Sequence, residues 1–439
     1  MASIILVLGL LYFLAHFLSN TFDRSRVPDV LVLMIIGIVV GPLLEWTTPE
    51  SFGQVGSVLT TVALAVILFE SGTTLNIGSI VRSARSTLQV TLATSFLTIG
   101  VVGVLAGVLL EMPWISAFIL GTIASGTSAA VVIPMVKVLK VKERAGTVMI
   151  LESAVTDVTS IVFTFALLNA ALQGEVNVGL MLGQTLSALV FAAVIGVAGG
   201  IGWLLIWEKV RQFPTTIFTT LASAFVLYGF AELLGFAGAI AVLAYGITLS
   251  NHEYFGLSKL FKGRGFSGVT PVESDFYKEI VFLLKTFFFV YLGISMRFSD
   301  AKIFGLALAL MLILTGARLF MLPLLVPRTI SRSDAAVVSV MIPKGLAAAV
   351  LAGLPLERGI AGAEEIQAGV YAIVLVSITL TAMLVSIRDG RVFGPVFGRA
   401  LRAFPEVAPE EPGRGTPRSG IATVPAPAAP PSPPAAPQG

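Results

Sequence analysis

Apolar residues in this chain come in long runs, not in the half-and-half alternation of an amphipathic helix or strand. A run of roughly 20 apolar residues is what an α-helix needs to cross the ~30 Å hydrocarbon layer of a bilayer. Thirteen such spans are predicted, at about 2–20, 27–44, 54–73, 89–110, 115–139, 146–172, 178–206, 215–235, 236–250, 277–296, 302–325, 334–354 and 363–387. The division between the eighth and ninth rests on Gly235 and little polarity. Strands of about ten residues alternating apolar and polar, which a membrane barrel requires, are absent. The pattern predicts an all-α polytopic membrane protein.

Within this pattern two spans are interrupted. The fifth breaks at Ser125-Gly126-Thr127-Ser128 and the twelfth at Pro343-Lys344-Gly345. Thirteen spans divide as six, a linker span and six, and two such sixes have opposite topology. Breaks in equivalent spans of inverted repeats point to a binding site near the membrane midplane. From about 404 the chain becomes a Pro/Ala/Gly tail, too poor in large apolar residues to pack, and disorder is expected over 404–439.

Charge then supplies orientation. Alternate loops carry Arg24, Arg26, Arg82, Arg85, Lys137, Lys140, Lys142, Arg144, Lys209, Arg211, Lys259, Lys262, Arg264, Arg328 and Arg332. The intervening loops carry only Arg297, Lys302 and Arg358. Basic loops stay on the cytoplasmic side, so the N-terminus is expected outside and the C-terminus in the cytoplasm. Residues 2–20 lack a basic leader and a small-residue cleavage site, and read as a retained first span. Composition agrees: 12% of residues are charged, against about 25% in soluble domains. The absence of cysteine and the presence of only His16 and His252 exclude disulfides and thiolate sites and argue against an imidazole-rich metal site.

Chemistry concentrates at Glu152-Ser153-Ala154-Val155-Thr156-Asp157 in the sixth span. Carboxylates inside a membrane are costly and usually mark an ion or proton path. Ser153 and Asp157 share a helix face with Ser160, whereas Glu152 and Thr156 share another. The two carboxylates stand about 140° apart around the helix, so they are not one acid–base pair. Arg318, in the eleventh span, is the natural partner of Glu152, because a guanidinium fork suits a carboxylate. Asp157 is then left to exchange a proton for a dehydrated alkali cation. Ser153, Thr127 and the carbonyls around 125–128 are available as hard oxygen ligands, and Ser128 and Thr156 belong to the same candidate set.

Other polar residues have plainer readings beside functional ones. Lys344 sits where helix ends point partial charges into the membrane and is expected to compensate them; a pairing with Asp157 is the alternative. Lys285 lies about 12 Å into the tenth span. It either snorkels to the cytoplasmic surface or adds a charge near the breaks that competes for Asp157. Glu70 either lines the ion path or is an interfacial carboxylate. His16 reads as a packed or interfacial histidine and Glu232 as a capped carboxylate at a span end.

These residues resemble the sodium–proton exchanger branch of the monovalent cation:proton antiporter superfamily. Glu152-Ser153-x-x-Thr156-Asp157 is similar to its Glu-Ser-x-x-Asn-Asp signature. Val27-Pro28-Asp29 with Gly37 and Gly41-Pro42, Leu68-Phe69-Glu70-Ser71-Gly72, Phe287-Phe288-Phe289-Val290-Tyr291-Leu292-Gly293 and Pro343-Lys344-Gly345-Leu346 resemble its second, third, tenth and twelfth spans. The resemblance implies a homodimer in the cell (inner) membrane. In each protomer a bundle, about 89–172 and 302–387, moves against a scaffold, about 1–73 and 178–296. It implies Asp157 as the shared site of cation and proton, Ser153 as a ligand, Glu152 with Arg318 as a structural ion pair, and no cofactor. Thr156 stands where one branch has a second Asp, and a single carboxylate implies electroneutral exchange. Thr127-Ser128-Ala129 replaces a Thr-Asp-Pro, and the missing charge leaves Na⁺ and K⁺ both open. A Na⁺-coupled solute symporter, a channel and a sensor are the competing readings. An enzyme would need a nucleotide loop, metal cluster or nucleophile that the sequence does not contain.

Overall fold

A computed structural model describes residues 9–17, 27–52, 54–75, 77–173, 178–210, 217–254, 269–298, 301–326, 328, 330–387 and 393–406. Among the described residues the secondary structure is helical throughout, with no strand. The elements are α1 (9–17), α2 (Asp29–Ile38), α3 (Gln54–Thr74), α4 (Ile77–Leu109), α5 (Trp114–Ile123), α6 (Ala129–Val138), α7 (Glu143–Gln173), α8 (Val178–Val210), α9 (Thr219–Leu233), α10 (Gly238–Ser250), α11 (Pro271–Ile294), α12 (Ala301–Leu325), α13 (Arg332–Val340), α14 (Leu346–Leu351), α15 (Leu354–Glu357), α16 (Ala363–Ile387) and α17 (Phe393–Ala400). Five of them carry segments individually long and apolar enough to cross a membrane: Gln89–Leu109, Arg144–Leu172, Ser187–Trp207, Ala301–Leu325 and Ala363–Ile387. Shorter apolar helices such as Thr219–Leu233 and Gly238–Ser250 accompany them. The result is a multi-pass membrane protein.

Helix starts are placed by polar contacts that an apolar run does not encode. α4 begins at Ile77, ahead of the expected 89, because the Asn251 amide oxygen accepts the Ile77 N–H at 2.9 Å. That contact satisfies one of the orphan donors of a helix N-terminus. α11 begins at Pro271, ahead of 277, because Thr270 and Glu273 form a reciprocal capping box. The uncertain division near Gly235 is a tight turn with that glycine at φ +78°. Beside it, Glu232 Oε1 accepts the Gly238 N–H at 2.8 Å and caps α10, which gives this carboxylate a structural partner.

Helix contacts are densest within two groups, which also touch each other through α7 with α8 and α14 with α3. In one, α3, α8 and α9 surround α10, and α11 lies against α2 and α3. Backbones approach closely where glycines meet, at Gly72 with Gly246 and at Gly37 with Gly293. A Cβ at any of these would run into the facing helix's main chain. In the other, α4 packs on α5, α7 and α12, and α16 closes on α12 and α5.

Two expectations are corrected here. Lys285 does not snorkel and does not reach the broken helices: its ammonium pairs with Asp29 at 2.8 Å across the α2–α11 contact, over the Phe282 ring. Its charge is therefore spent inside the first group. His16 stacks on that same Phe282, with centroids 4.5 Å apart, as a packed residue. The ordered body also runs past 404. Phe397, Leu401 and Phe404 are buried, and Pro405 accepts the Arg332 N–H at 2.7 Å. These large side chains supply the burial that the rest of the tail's composition cannot. The remaining tail and the loop bases Arg24, Arg26, Arg211, Lys259, Lys262 and Arg264 lie outside the described residues.

Candidate functional site

The interrupted spans become pairs of half-helices. α5 ends at Ile123 and α6 starts at Ala129; α13 ends at Val340 and α14 starts at Leu346. The two gaps meet, and the Ser128 N–H donates to the Pro343 carbonyl at 2.8 Å. Gly345 is needed there, because a side chain at that position would collide with Ser128. The Lys344 N–H donates to Ser377 Oγ of α16 at 2.8 Å. Main-chain groups that leave a helix inside a membrane must find protein partners, and at this crossing the Ser128 and Lys344 N–H groups do.

α7 lies against the first gap and supplies much of that satisfaction. Thr156 Oγ1 accepts the Thr127 N–H at 3.0 Å and donates to the Ser153 carbonyl at 3.0 Å. Ser160 Oγ donates to the Thr122 carbonyl at 2.8 Å. Thr156, counted among the cation ligands on sequence grounds, therefore has its hydroxyl tied to the backbone of the gap. Replacing it with valine keeps the volume and strands a buried N–H, at a cost of about 1–3 kcal/mol. Thr156→Val is expected to lower the thermal unfolding temperature in detergent and to weaken apparent cation affinity. Thr156→Ser should restore both.

Asp157 faces the gap. A Cβ placed on Gly126 would lie 3.2 Å from Asp157 Oδ1, a tight contact in which a side chain there would press on the carboxylate. Ser153, Thr156 and Ser160 are buried, whereas Asp157 keeps partial exposure. Among the described residues its carboxylate has neither a hydrogen-bond nor an ion-pair partner. The alternative pairing with Lys344 is not made. The Lys344 ammonium turns instead to the Ser125 carbonyl, at 3.4 Å.

Glu152, on the other face of α7, meets Arg318 of α12 in a two-pronged pair, with Nη2 to Oε2 at 2.6 Å and Nη1 on Oε1. Both side chains are nearly sealed from solvent, and Arg318 Nε also donates to the Val338 carbonyl at 3.0 Å. Thr94 of α4 closes on Glu152 Oε1 at 3.4 Å. A small cavity beside this pair is lined by Thr94, Thr98, Ser125, Thr127, Arg318 and Lys344; Asp157 does not line it.

Ser153, Thr127, Ser128 and Asp157 are thus brought to one crossing. Ser153 Oγ donates to the Ile150 carbonyl at 2.9 Å, which leaves its lone pairs for a ligand. Glu70 shares no hydrogen bond, ion pair or cavity with the crossing among the described residues; the charge acting on it is Lys278 of α11. Sequence reasoning missed Thr94, Thr98 and Ser377. A hydroxyl every three or four residues along an otherwise apolar α4 was the available signal.

Two discontinuous helices meeting beside a carboxylate in a multi-pass helical protein form the site architecture of secondary transporters. Residues 9–387 match the sodium/hydrogen exchanger transmembrane family, and the chain belongs to it. The K(+)/H(+) antiporter NhaP2 of Shewanella sp. strain ANA-3 is 25% identical over 386 residues, 86% of this chain. The Na(+)/H(+)-K(+) antiporter GerN of Bacillus cereus is 25% identical over 82% of this chain and 90% of its own length. The chain spans 64% of the length of that NhaP2. In three dimensions it is similar to the sodium proton antiporter MjNhaP1 of Methanocaldococcus jannaschii at pH 8. That match has a TM-score of 0.69 at 21% identity and covers 86% of this chain and 98% of the other.

Proposed function

We propose that this protein exchanges a monovalent cation, Na⁺ or K⁺, for H⁺ through competition at Asp157. The observation that carries this is a carboxylate with no hydrogen-bond or ion-pair partner among the described residues, beside Gly126 in the gap of a broken helix, with the nearby Lys344 ammonium turned to the Ser125 carbonyl instead. Cation and proton cannot occupy one carboxylate together, and only the neutralised site crosses the membrane interior cheaply. One charge in for one charge out makes the exchange electroneutral, and no cofactor is required. Relatives named for K⁺/H⁺ and for Na⁺/H⁺-K⁺ exchange keep both cations in play.

In this reading Asp157 and Ser153 hold the cation, with Thr127 and Ser128 from the gap, and Thr156 positions Thr127. Glu152 with Arg318 is structural, and Lys344 offsets the carbonyl ends of the half-helices. Thirteen spans in two inverted sixes complete the topology, with the N-terminus outside and the C-terminus in the cytoplasm. The group containing α4–α7 and α12–α16 moves against the group containing α2, α3 and α8–α11, and two such protomers form a dimer in the cell membrane.

The test is exchange by the purified protein in acid-loaded liposomes with a trapped pH dye. Na⁺ or K⁺ added outside should drive proton efflux at a rate that does not change when the membrane potential is clamped at different values. Silence toward both cations across the neutral pH range would overturn the reading.

A further inference from the structure

A cavity of about 260 Å³ lies away from the crossing, between the two groups of helices. Phe165 and Asn169 of α7 and Arg358, just past α15, line it from one group. Leu189 of α8, with Glu232 and Phe236 at the α9–α10 turn, lines it from the other. Along α7, Phe165 and Asn169 stand about 12 and 18 Å beyond Asp157 by helical rise. The cavity therefore sits between the ion site and the membrane face that carries Arg358.

Opposite charges face this space from opposite groups, and each is held only on its own side. Arg358 Nη1 donates to Asn169 Oδ1 at 3.4 Å, and its guanidinium carbon lies 5.1 Å from the Phe165 centroid. Glu232 uses Oε1 to cap α10, which leaves its second oxygen uncommitted. Among the described residues neither takes part in an ion pair. The hydroxyl of Tyr228 on α9 is within electrostatic reach of Glu232, Glu357 and Arg358. Glu357 precedes Arg358 in the same group, so motion between the groups leaves the two charges in the same relation.

We propose that Glu232 and Arg358 form a charge latch that closes this route to Asp157. When the α7 group rocks toward α8–α10, the guanidinium leaves Asn169 and pairs with the free oxygen of Glu232. When the groups part, the latch opens. A charge-assisted fork present in one state and absent in the other is the differential contact that sets a conformational equilibrium. This rests on the proposed movement of one helix group against the other.

Two sets of variants test it in the liposome assay. Arg358→Glu or Glu232→Arg alone should slow exchange by roughly threefold or more, and the double reversal should recover most of the loss. The chain has no cysteine, so Glu232→Cys with Arg358→Cys supplies the only two thiols. A short bis-methanethiosulfonate reagent should link them during turnover, stop exchange, and release it when a reductant is added. The latch is overturned if the double reversal is no faster than the slower single variant, or if the linked protein still exchanges. An unmodified protein that shows no exchange sinks the transport reading itself, which separates the two failures.

Discussion

Asp157→Asn is expected to reduce cation-driven proton efflux to the level of protein-free liposomes while the protein still folds. Asparagine matches aspartate in shape but carries neither a titrating proton nor a charge to attract a dehydrated cation. The carboxylate has no hydrogen-bond or ion-pair partner among the described residues, so its removal breaks no direct contact. Burying an unpaired charge costs free energy. The variant should therefore unfold in detergent at or above the temperature of the unmodified protein. Exchange and stability thus separate at this residue, and that separation is the mark of a site reserved for a ligand. Persistent Na⁺- or K⁺-driven efflux in Asp157→Asn would remove the carboxylate from the mechanism.

The opposite separation is expected at Glu152. Glu152→Gln leaves the Arg318 guanidinium sealed in the bundle without a counter-charge, and stranding one member of a buried pair costs about 3–5 kcal/mol. Arg318→Met should cost a similar amount, because a bare carboxylate then remains. Replacing both, as Glu152→Leu with Arg318→Met, removes the two charges together and should recover most of the lost thermal stability. Arg318 also holds the Val338 carbonyl, so recovery will fall short by about one hydrogen bond, ~1 kcal/mol. Exchange should return with stability in the double variant. A double variant that is stable but silent would give Glu152 or Arg318 a direct part in ion binding.

These two residues also show what was legible in advance. A guanidinium deep in an apolar span has few possible partners, so chemistry alone pointed Arg318 at Glu152, 166 positions away, and the structure seats one on the other. The gaps at 124–128 and 341–345 were visible as Gly, Ser and Pro interrupting apolar runs. Lys285 and Asp29 were harder, because each has a plausible individual reading, and only the α2–α11 crossing brings them together across 256 positions. Thr156 was incompletely legible for a different reason. Its hydroxyl is chemically fit to ligate a cation, and only the position of the Thr127 N–H shows that it is already engaged. Helix starts at Ile77 and Pro271 escaped notice because their caps are polar and lie outside the apolar runs that mark the spans.

The crossing of the two gaps is joined through main-chain atoms, the Ser128 N–H on the Pro343 carbonyl. A joint of that kind is indifferent to which side chains it carries, provided position 345 stays small enough to admit Ser128. Ligand chemistry can then drift while the frame persists. The side chains of Thr127-Ser128-Ala129 can vary without the half-helices losing their register. Substitutions at 127 and 128 should accordingly retune which ion is preferred long before they unfold the protein. These two positions are therefore where an engineer seeking a different cation preference should begin.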